Sequence, residues 1–552
     1  MKKSFKRGLA LAGALLVASM GVGCGGEPGN GGGGGVGGKS ENCLDVYCHK
    51  AGYGVQWCKD LLEEFVKQDW VKAKYEGISY TFNSTDQDGY TKSKLVATNN
   101  NTFDLLFGFN GDKPQDMSLL EELTQDVYKQ TVPGESVTYE EKLFSTYAEV
   151  NNEIDVNNLD AEKKYYTASW AGGMNGIFYN EDILNALGYS VPRTTNELTA
   201  ICNAIYELRT NDKSNDVYEG YAFIQSKGLG YWIYMLPQWW AQYEGVDGYN
   251  DYWNGTYYGE SSKEIFKQQG RLESLKLVET YLDYDKHLNP ESMGESYTYK
   301  IAQGLFLRGK GVFHVNGDWF ENEMKEKKAE IKSKEGLDYS IKLMRTPIVS
   351  ALGTKLGITD AQLAATVDYV DGKTSTAPAG VSEDAIAAVR EARGVVHSIG
   401  ANHTAYVPSY AKQKGIAKDF LLFMATDKVQ EIYMNATGGS SLPFKYDVKT
   451  KNPTLYASLT QMQKERIDYF NSSTVSVSVL AAKEAFPLCR FGGLGMFSIS
   501  DNDCVAALSM NNKTKTAQDI YNDTLTYWGF NLDGSSNDNQ RWNTALSKSG
   551  LK

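Results

Sequence analysis

From residue 44 onward the chain alternates short apolar runs with amphipathic stretches. Leu44-Asp45-Val46-Tyr47-Cys48 predicts a first strand, followed by a loop from His49 to Gly54. Cys58, Leu61, Leu62 and Phe65 then recur at i, i+3, i+4 and i+7, which puts them on one helix face. Ile78 to Phe82 alternates as a second strand, Tyr90 to Thr98 predicts a short helix, and Phe103 to Phe107 is a nearly all-apolar third strand. Strands separated by helices imply parallel pairing and an α/β lobe. Ligands in such lobes bind at loops beyond the carboxyl ends of strands, here His49–Tyr53 and Gly108–Asp112.

A second unit begins at Ile177-Phe178-Tyr179, with Asn180, Glu181 and Asp182 at a helix start. Thr194-Thr195-Asn196-Glu197 predicts a capping box ahead of Leu198, Ile201, Cys202 and Ile205. A helix is expected over Arg271–Leu282, and a strand over Val312–Val315 that ends at Asn316-Gly317-Asp318-Trp319. Residues 346–397 predict an inserted helical segment. His403 to Val407 predicts a further strand, and Ile416, Ala417, Phe420, Leu421 and Met424 a buried helix face. Two more helices are expected near Leu455–Phe470 and Thr516–Trp528. No internal repeat is present.

The start of the chain is of a different kind. Lys2, Lys3, Lys6 and Arg7 precede an apolar stretch from Leu9 to Met20, and Gly21-Val22-Gly23 precedes Cys24. This is the pattern of an export signal over residues 1–23, and the small residues before Cys24 resemble a bacterial lipoprotein cleavage box. Cys24 would then carry lipid. Of the fourteen residues from Gly25 to Gly38, ten are Gly, so residues 24–42 are expected to form a flexible tether. Lipid plus tether would hold the body at the outer face of a membrane without inserting it.

Composition narrows the function. At 552 residues the chain is long enough for more than one lobe. Its net charge is −12, and beyond the basic leader 52 basic residues face 68 acidic ones. That balance gives no general reason to bind nucleic acid or an anionic membrane. Its 36 Tyr, 10 Trp and 21 Phe suit either a core or a surface that stacks flat ligands. Cys43, Cys48, Cys58, Cys202, Cys489 and Cys504 match no zinc spacing. Disulfides are permitted in an exported chain, and proximity favours Cys489 with Cys504. An EF-hand register over Ser84, Asp86 and Asp88 would need Glu where Leu95 stands, so no metal site is expected there. No nucleophile elbow, HExxH or Walker motif occurs, and no cofactor is implied.

Several segments, in order, resemble one family: Phe-Asp-Leu-Leu-Phe at 103–107, Gly-Ile-Phe-Tyr-Asn-Glu-Asp-Ile-Leu at 176–184, Phe306 to Trp319, and Val407-Pro408 through Ala417-Lys418-Asp419-Phe420-Leu421 to Gly438-Gly439. The chain resembles the extracellular solute-binding proteins of ABC transporters, in the maltose-binding-protein-like, sugar-binding branch. The resemblance covers nearly everything after residue 43, and the 346–397 segment departs from it. It implies a two-lobed α/β fold of the periplasmic-binding-protein type II, with the ligand cleft between lobes. The first lobe would comprise 43–170 plus 398–440 and the second 171–345 plus 441–552, with crossings near Ala171, Ser398 and Ser440. It also implies a non-enzymatic monomer that binds a carbohydrate, closes about a hinge and delivers it to permease subunits.

A sugar needs rings over its C–H face and planar polar groups at its hydroxyls. Trp319, beside Asp318 and Asn316 at a strand end, matches the family's stacking position, although a Trp there also fits a core. Trp232 with Tyr231 is a second platform, with packing in an aromatic loop cluster as the alternative. Asn110 and Asp112 follow an apolar strand, and Asn-Gly-Asp is equally a turn former. Tyr53 in the first loop, Trp170 at the first crossing and Asp86 complete the candidates. A lipid-anchored glycoside hydrolase and a glycan-binding surface protein that feeds no permease are the rival readings.

Overall fold

The computed structural model describes residues 41–96, 101–211, 218–225, 231–293, 296–398, 402–482, 485–494, 513–531, 533–537 and 540–551. The expected signal, the expected tether up to residue 40, Cys24 and Cys504 lie outside them. Two separate sheets carry the body. The first has five strands in the order Ser79–Thr85, Cys43–His49, Leu105–Phe109, His403–Tyr406, Ala168–Ser169. The second has four, in the order Ile341–Met344, Asn175–Asn180, Gly311–Gly317, Tyr221–Phe223.

The first three strands of the chain pair in parallel, as their helix-separated order requires. The helix Gln56–Phe65 covers them and buries Trp57, Cys58, Leu61, Leu62 and Phe65, which is the face the i, i+3, i+4, i+7 spacing predicted. The described helix after the second strand runs Tyr90–Val96.

Parallel pairing does not extend through either sheet. His403–Tyr406 lies antiparallel to Leu105–Phe109, with His403 opposite Phe109. Asn175–Asn180 lies antiparallel to Gly311–Gly317, with Asn175 opposite Gly317. Both strands begin where the chain has just passed from one sheet to the other. A strand entering directly at the edge that faces the other lobe must run against the strands that end there.

The crossings pack tightly on one another. A Cβ on Gly172 would lie 2.7 Å from Pro443 Cα, and one on Gly173 would lie 2.1 Å from Asp318 Oδ1. The third crossing ends later than the expected boundary at 440. Leu143 bridges to Phe444, and the Lys445 N–H donates to the Lys142 carbonyl, so the chain stays against the first lobe here. After this segment the helix Gln461–Phe470 packs on the second sheet, along Ile341–Met344. The helix expected over 455–470 is two, Pro453–Ser458 and Gln461–Phe470, because Thr460 caps the second with a capping box of its own.

Residues 346–397 carry the helices Ala351–Lys355, Asp360–Val370 and Glu383–Gly394. Asp371 ties them down through Arg393 at 2.8 Å and Arg345 at 3.0 Å. The helix Ala517–Tyr527 lies on Gln269–Tyr281, and Arg541–Lys548 on Pro487–Gly492. An aromatic cluster packs this region. Phe266 stacks on Trp528 at 4.7 Å, Trp542 sits edge-on to both, and Trp240, Tyr252 and Trp253 pack beside them. Cys43, Cys48, Cys58 and Cys202 carry free thiols. Among the described residues no helix is long and apolar enough to cross a membrane, and no cluster of His, Cys, Asp and Glu is placed to hold a metal.

Candidate functional site

The two sheets meet at the edges from which the crossings leave. On the first lobe, His49 ends the strand Cys43–His49, Phe109 ends Leu105–Phe109 and His403 begins His403–Tyr406. The His49 and Phe109 rings lie 4.8 Å apart, and Phe109 and His403 5.3 Å apart. Tyr53 stands over His403 at 5.4 Å. Burial holds the His49 pKa below the ordinary imidazole value, while the carboxylates of Asp88, Asp112 and Asp86 oppose that shift.

On the second lobe, Trp319 follows the strand Gly311–Gly317 and is 8% exposed. Its ring lies over Gly317 and reaches across to Gly52 of the first lobe, where a Cβ would stand 2.5 Å from Trp319 Cδ1. Tyr53 meets it edge-on at 5.8 Å and Tyr234 at 6.3 Å. Tyr231 stacks on Tyr234 at 5.3 Å, and Tyr234 stacks on His397 at 5.5 Å. The Asn322 side-chain amide donates to the Gly52 carbonyl at 3.1 Å, a polar contact between lobes beside the Trp319 ring. The lobes are therefore closed on one another along this line.

Asp318 sits at the root of the cleft. Its carboxylate accepts from the Tyr53 hydroxyl at 3.1 Å and from Ser440 Oγ at 2.9 Å, and Arg466 Nη1 lies 3.5 Å away. Its backbone N–H donates to the Met174 carbonyl. Arg466 also donates to the Gly439 carbonyl and to Ser441 Oγ. Asp318 thus joins the first lobe, the second sheet and two crossings. Burial raises its pKa, and Arg466, Ser440 and Tyr53 pull against that. With its oxygens engaged in this way, Asp318 acts as a pin between lobes, and Tyr53 shares that role.

Other candidates are placed elsewhere. Asn316 is fully buried within its strand; its amide donates to His314 Nε2 at 3.1 Å and its carbonyl oxygen accepts from the Gly317 N–H. It points into the lobe because neighbours on a strand alternate faces. Trp232 is 1% exposed, edge-on to Phe223 at 4.9 Å and parallel to Tyr281 at 6.1 Å, so its ring belongs to the second-lobe core. Trp170 is fully buried, stacked on Trp57 at 5.0 Å, with its indole N–H donating to the Gly108 carbonyl at 3.0 Å. It supports the cleft edge from beneath. Asn110–Asp112 forms a short 3-10 turn in which Asp112 accepts from the Phe109 N–H at 3.1 Å, so the turn chemistry is realised. Asp86 is exposed and, with Asp88, faces His49 electrostatically.

Sequence reasoning missed His403, Tyr234 and Asn322, and marked His49 and Phe109 only as members of the loops His49–Tyr53 and Gly108–Asp112. His49 stood at the head of a loop already marked by strand order. Tyr234 is three residues from Tyr231 on the 3-10 turn Tyr231–Tyr234, a spacing that brings side chains onto one side. His403 and Asn322 carry no local signal, because each reaches the cleft only through the packing of the two lobes.

Two α/β lobes, three crossings and a cleft edged by strand ends define a two-lobed binding protein. Residues 59–431 match the family model of the bacterial extracellular solute-binding proteins, and the chain belongs to that family. Solved structures share the fold at low identity. One comes from work on xylan utilization by the thermophilic bacterium Caldanaerobius polysaccharolyticus (TM-score 0.54, 12% identity, 88% of this chain and 99% of that one). Another is apo RafE from Streptococcus pneumoniae (TM-score 0.51, 14% identity, 89% and 98%). A third is RafE in complex with raffinose (TM-score 0.50, 13% identity, 88% and 98%). No curated protein matches the sequence.

Proposed function

We propose that this chain binds an extracellular carbohydrate, an oligosaccharide, between its lobes by hinge closure and hands it to the permease of an ABC transporter. Hinge closure around a ligand is the characteristic motion of periplasmic binding proteins. One observation carries the sugar reading: the aromatic groups Phe109, Tyr53, Trp319, Tyr234 and Tyr231 gather at the facing edges of the lobes, with imidazole and carboxylate groups among them. Rings cover a sugar's C–H face, and His49, Asp86, Asn110 and Asp112 supply donors and acceptors for its hydroxyls. RafE, a structural relative, is known in complex with raffinose.

In this reading Trp319 is the stacking platform on the second lobe, and Asp318 holds the closed geometry behind it. The protein acts as a monomeric binder rather than an enzyme, and the lipid on Cys24 keeps it beside the permease. The test is a melting screen of the purified body against neutral oligosaccharides, raffinose and xylo-oligosaccharides included, with amino acids and peptides as the opposing set. A glycan-dependent rise in melting temperature is expected. Stabilisation by peptides and by no glycan would overturn the substrate class. Appearance of reducing ends during incubation would replace binding with hydrolysis.

A further inference from the structure

The family match ends at residue 431, and the helices Pro487–Gly492, Ala517–Tyr527 and Arg541–Lys548 beyond it belong to the second lobe by packing. They nevertheless touch the first lobe beside the cleft. Arg490, on the helix Pro487–Gly492, places Nη2 at 2.8 and 2.9 Å from the two carboxylate oxygens of Glu153. Lys113 reaches the same carboxylate at 2.5 Å. Lys113 directly follows the Asn110–Asp112 turn, at the strand end that carries Phe109, so this contact lies on the rim of the cleft. Glu153 belongs to the hairpin of Asn152–Glu153 and Lys164–Tyr165, which packs on the first lobe through Thr124. The helix Pro487–Gly492 is anchored in the second lobe, where Leu488 crowds Gly255.

Two further contacts tie chain beyond residue 431 to the first lobe. Gly550, just past the helix Arg541–Lys548, lies so near the Val156 carbonyl that a Cβ would come within 1.9 Å of it. Thr146 Oγ1 of the first lobe donates to the Val479 carbonyl at 3.0 Å. The three charged side chains are mostly covered, at 12% exposure for Lys113, 23% for Glu153 and 22% for Arg490. One carboxylate serves two cations. Burial lowers the Lys113 pKa, the Arg490 cation lowers it further, and Glu153 opposes both. The set is therefore held together by Glu153, and the Arg490–Glu153 pair is the part that links lobe to lobe.

We propose that Arg490 is a closure-positioning residue: through Glu153 it straps the C-terminal helices to the first lobe at the cleft rim and shifts the lobes toward their closed arrangement. Closing brings the pair together, and opening must separate it into water. The strap therefore weighs on the open–closed equilibrium, and through it on apparent ligand affinity, because a less populated competent state binds more weakly in proportion. This rests on hinge motion and not on sugar as the ligand.

The experiment is small-angle scattering on the purified full body without added ligand, at about 0.05 M and about 0.5 M NaCl, since salt screens the separated charges. Arg490→Gln and Glu153→Gln are each expected to raise the radius of gyration, with the open population growing on the order of fivefold. The double variant should open no further than either single one, since one interaction is being removed. Lys113→Met leaves Arg490 and Glu153 as a neutral pair and should stay as closed as the parent. Circular dichroism confirms folding of each variant. An unchanged radius in folded Arg490→Gln, or opening in Lys113→Met equal to that in Arg490→Gln, overturns the proposal. If Arg490→Gln does not fold, the parent's salt response decides: expansion at high salt supports the strap, and a constant radius overturns it. A failed sugar screen leaves this result untouched.

Discussion

Two residues illustrate how a single side chain can be tested. Gly52 carries the contact with Trp319, and its backbone is outside the left-handed region, so only space forbids a side chain there. Gly52→Ala must move the indole or part the lobes. Overpacking of this kind costs about 1–3 kcal/mol, felt in the closed state alone, so an approximately tenfold loss of affinity is expected. Unliganded melting should hardly change. His314 gives a pH prediction. It is fully buried, with Nδ1–H donating to the Ile224 carbonyl at 2.7 Å and Nε2 accepting from Asn316, and burial pushes its pKa down to about 4. A depressed folded pKa means the stability from this neutral ring is fully present above the ordinary value of 6.5 and is lost as pH falls toward about 4. At 1.36 kcal/mol per unit, about 3 kcal/mol should disappear over that window. Urea midpoints between pH 7 and pH 4 measure it, and His314→Gln should flatten the slope. Asp318 has the opposite sign: its raised pKa favours the folded state below that value and weakens it as pH rises through it.

At the scale of elements, the helix Gln461–Phe470 shows why local chemistry matters to the cleft. Thr460 accepts from the Gln463 N–H, Gln463 returns to the Thr460 N–H, and Thr460 Oγ1 also donates to Glu321 at 2.8 Å. This cap starts the helix that aims Arg466 at Asp318. Thr460→Ala should cost about 1 kcal/mol of stability, read as a lower urea midpoint, and should loosen the Arg466 contacts with Gly439 and Ser441. The capping box expected at Thr194 forms with a variation. Thr194 Oγ1 accepts from the Glu197 N–H, but Glu197 turns back to the N–H and guanidinium of Arg193. An adjacent Arg offers the carboxylate a charged donor, which outweighs the neutral N–H at the cap. Strand direction was not legible at all for His403–Tyr406. Its residues read as a strand in either sense, and only its entry from the second lobe makes it antiparallel.

The folded body is a two-lobed solute-binding protein whose last helices, Pro487–Gly492, Ala517–Tyr527 and Arg541–Lys548, add aromatic mass to one lobe and reach the other. Under the proposed lipidation, Cys24→Ala is expected to release or mislocalise the protein while leaving ligand affinity of the purified body unchanged, because a Gly-rich segment is expected to act as a flexible tether. Fractionation checks the first part and titration the second. Unchanged membrane retention would remove lipidation at this residue.

The sequence by itself determined the elements and their order, since amphipathic spacing and apolar runs report which face of each segment is buried. It also determined the family, through segments such as 103–107 and 176–184 in their spacing. Local order further marked the loops where a ligand could bind, because the carboxyl end of a strand is readable from its own residues. Only the tertiary structure decided which aromatic rings face the cleft. Trp319 and Trp232 each stand next to an aromatic residue in the chain, Phe320 and Tyr231, yet one bridges to Gly52 and the other packs against Phe223 and Tyr281. The same holds for Asp318, whose partners Tyr53, Ser440 and Arg466 are separated from it by more than a hundred residues in each case. A side chain's role there depends on which distant surfaces meet, and the closing of two lobes brings together groups that no local pattern connects.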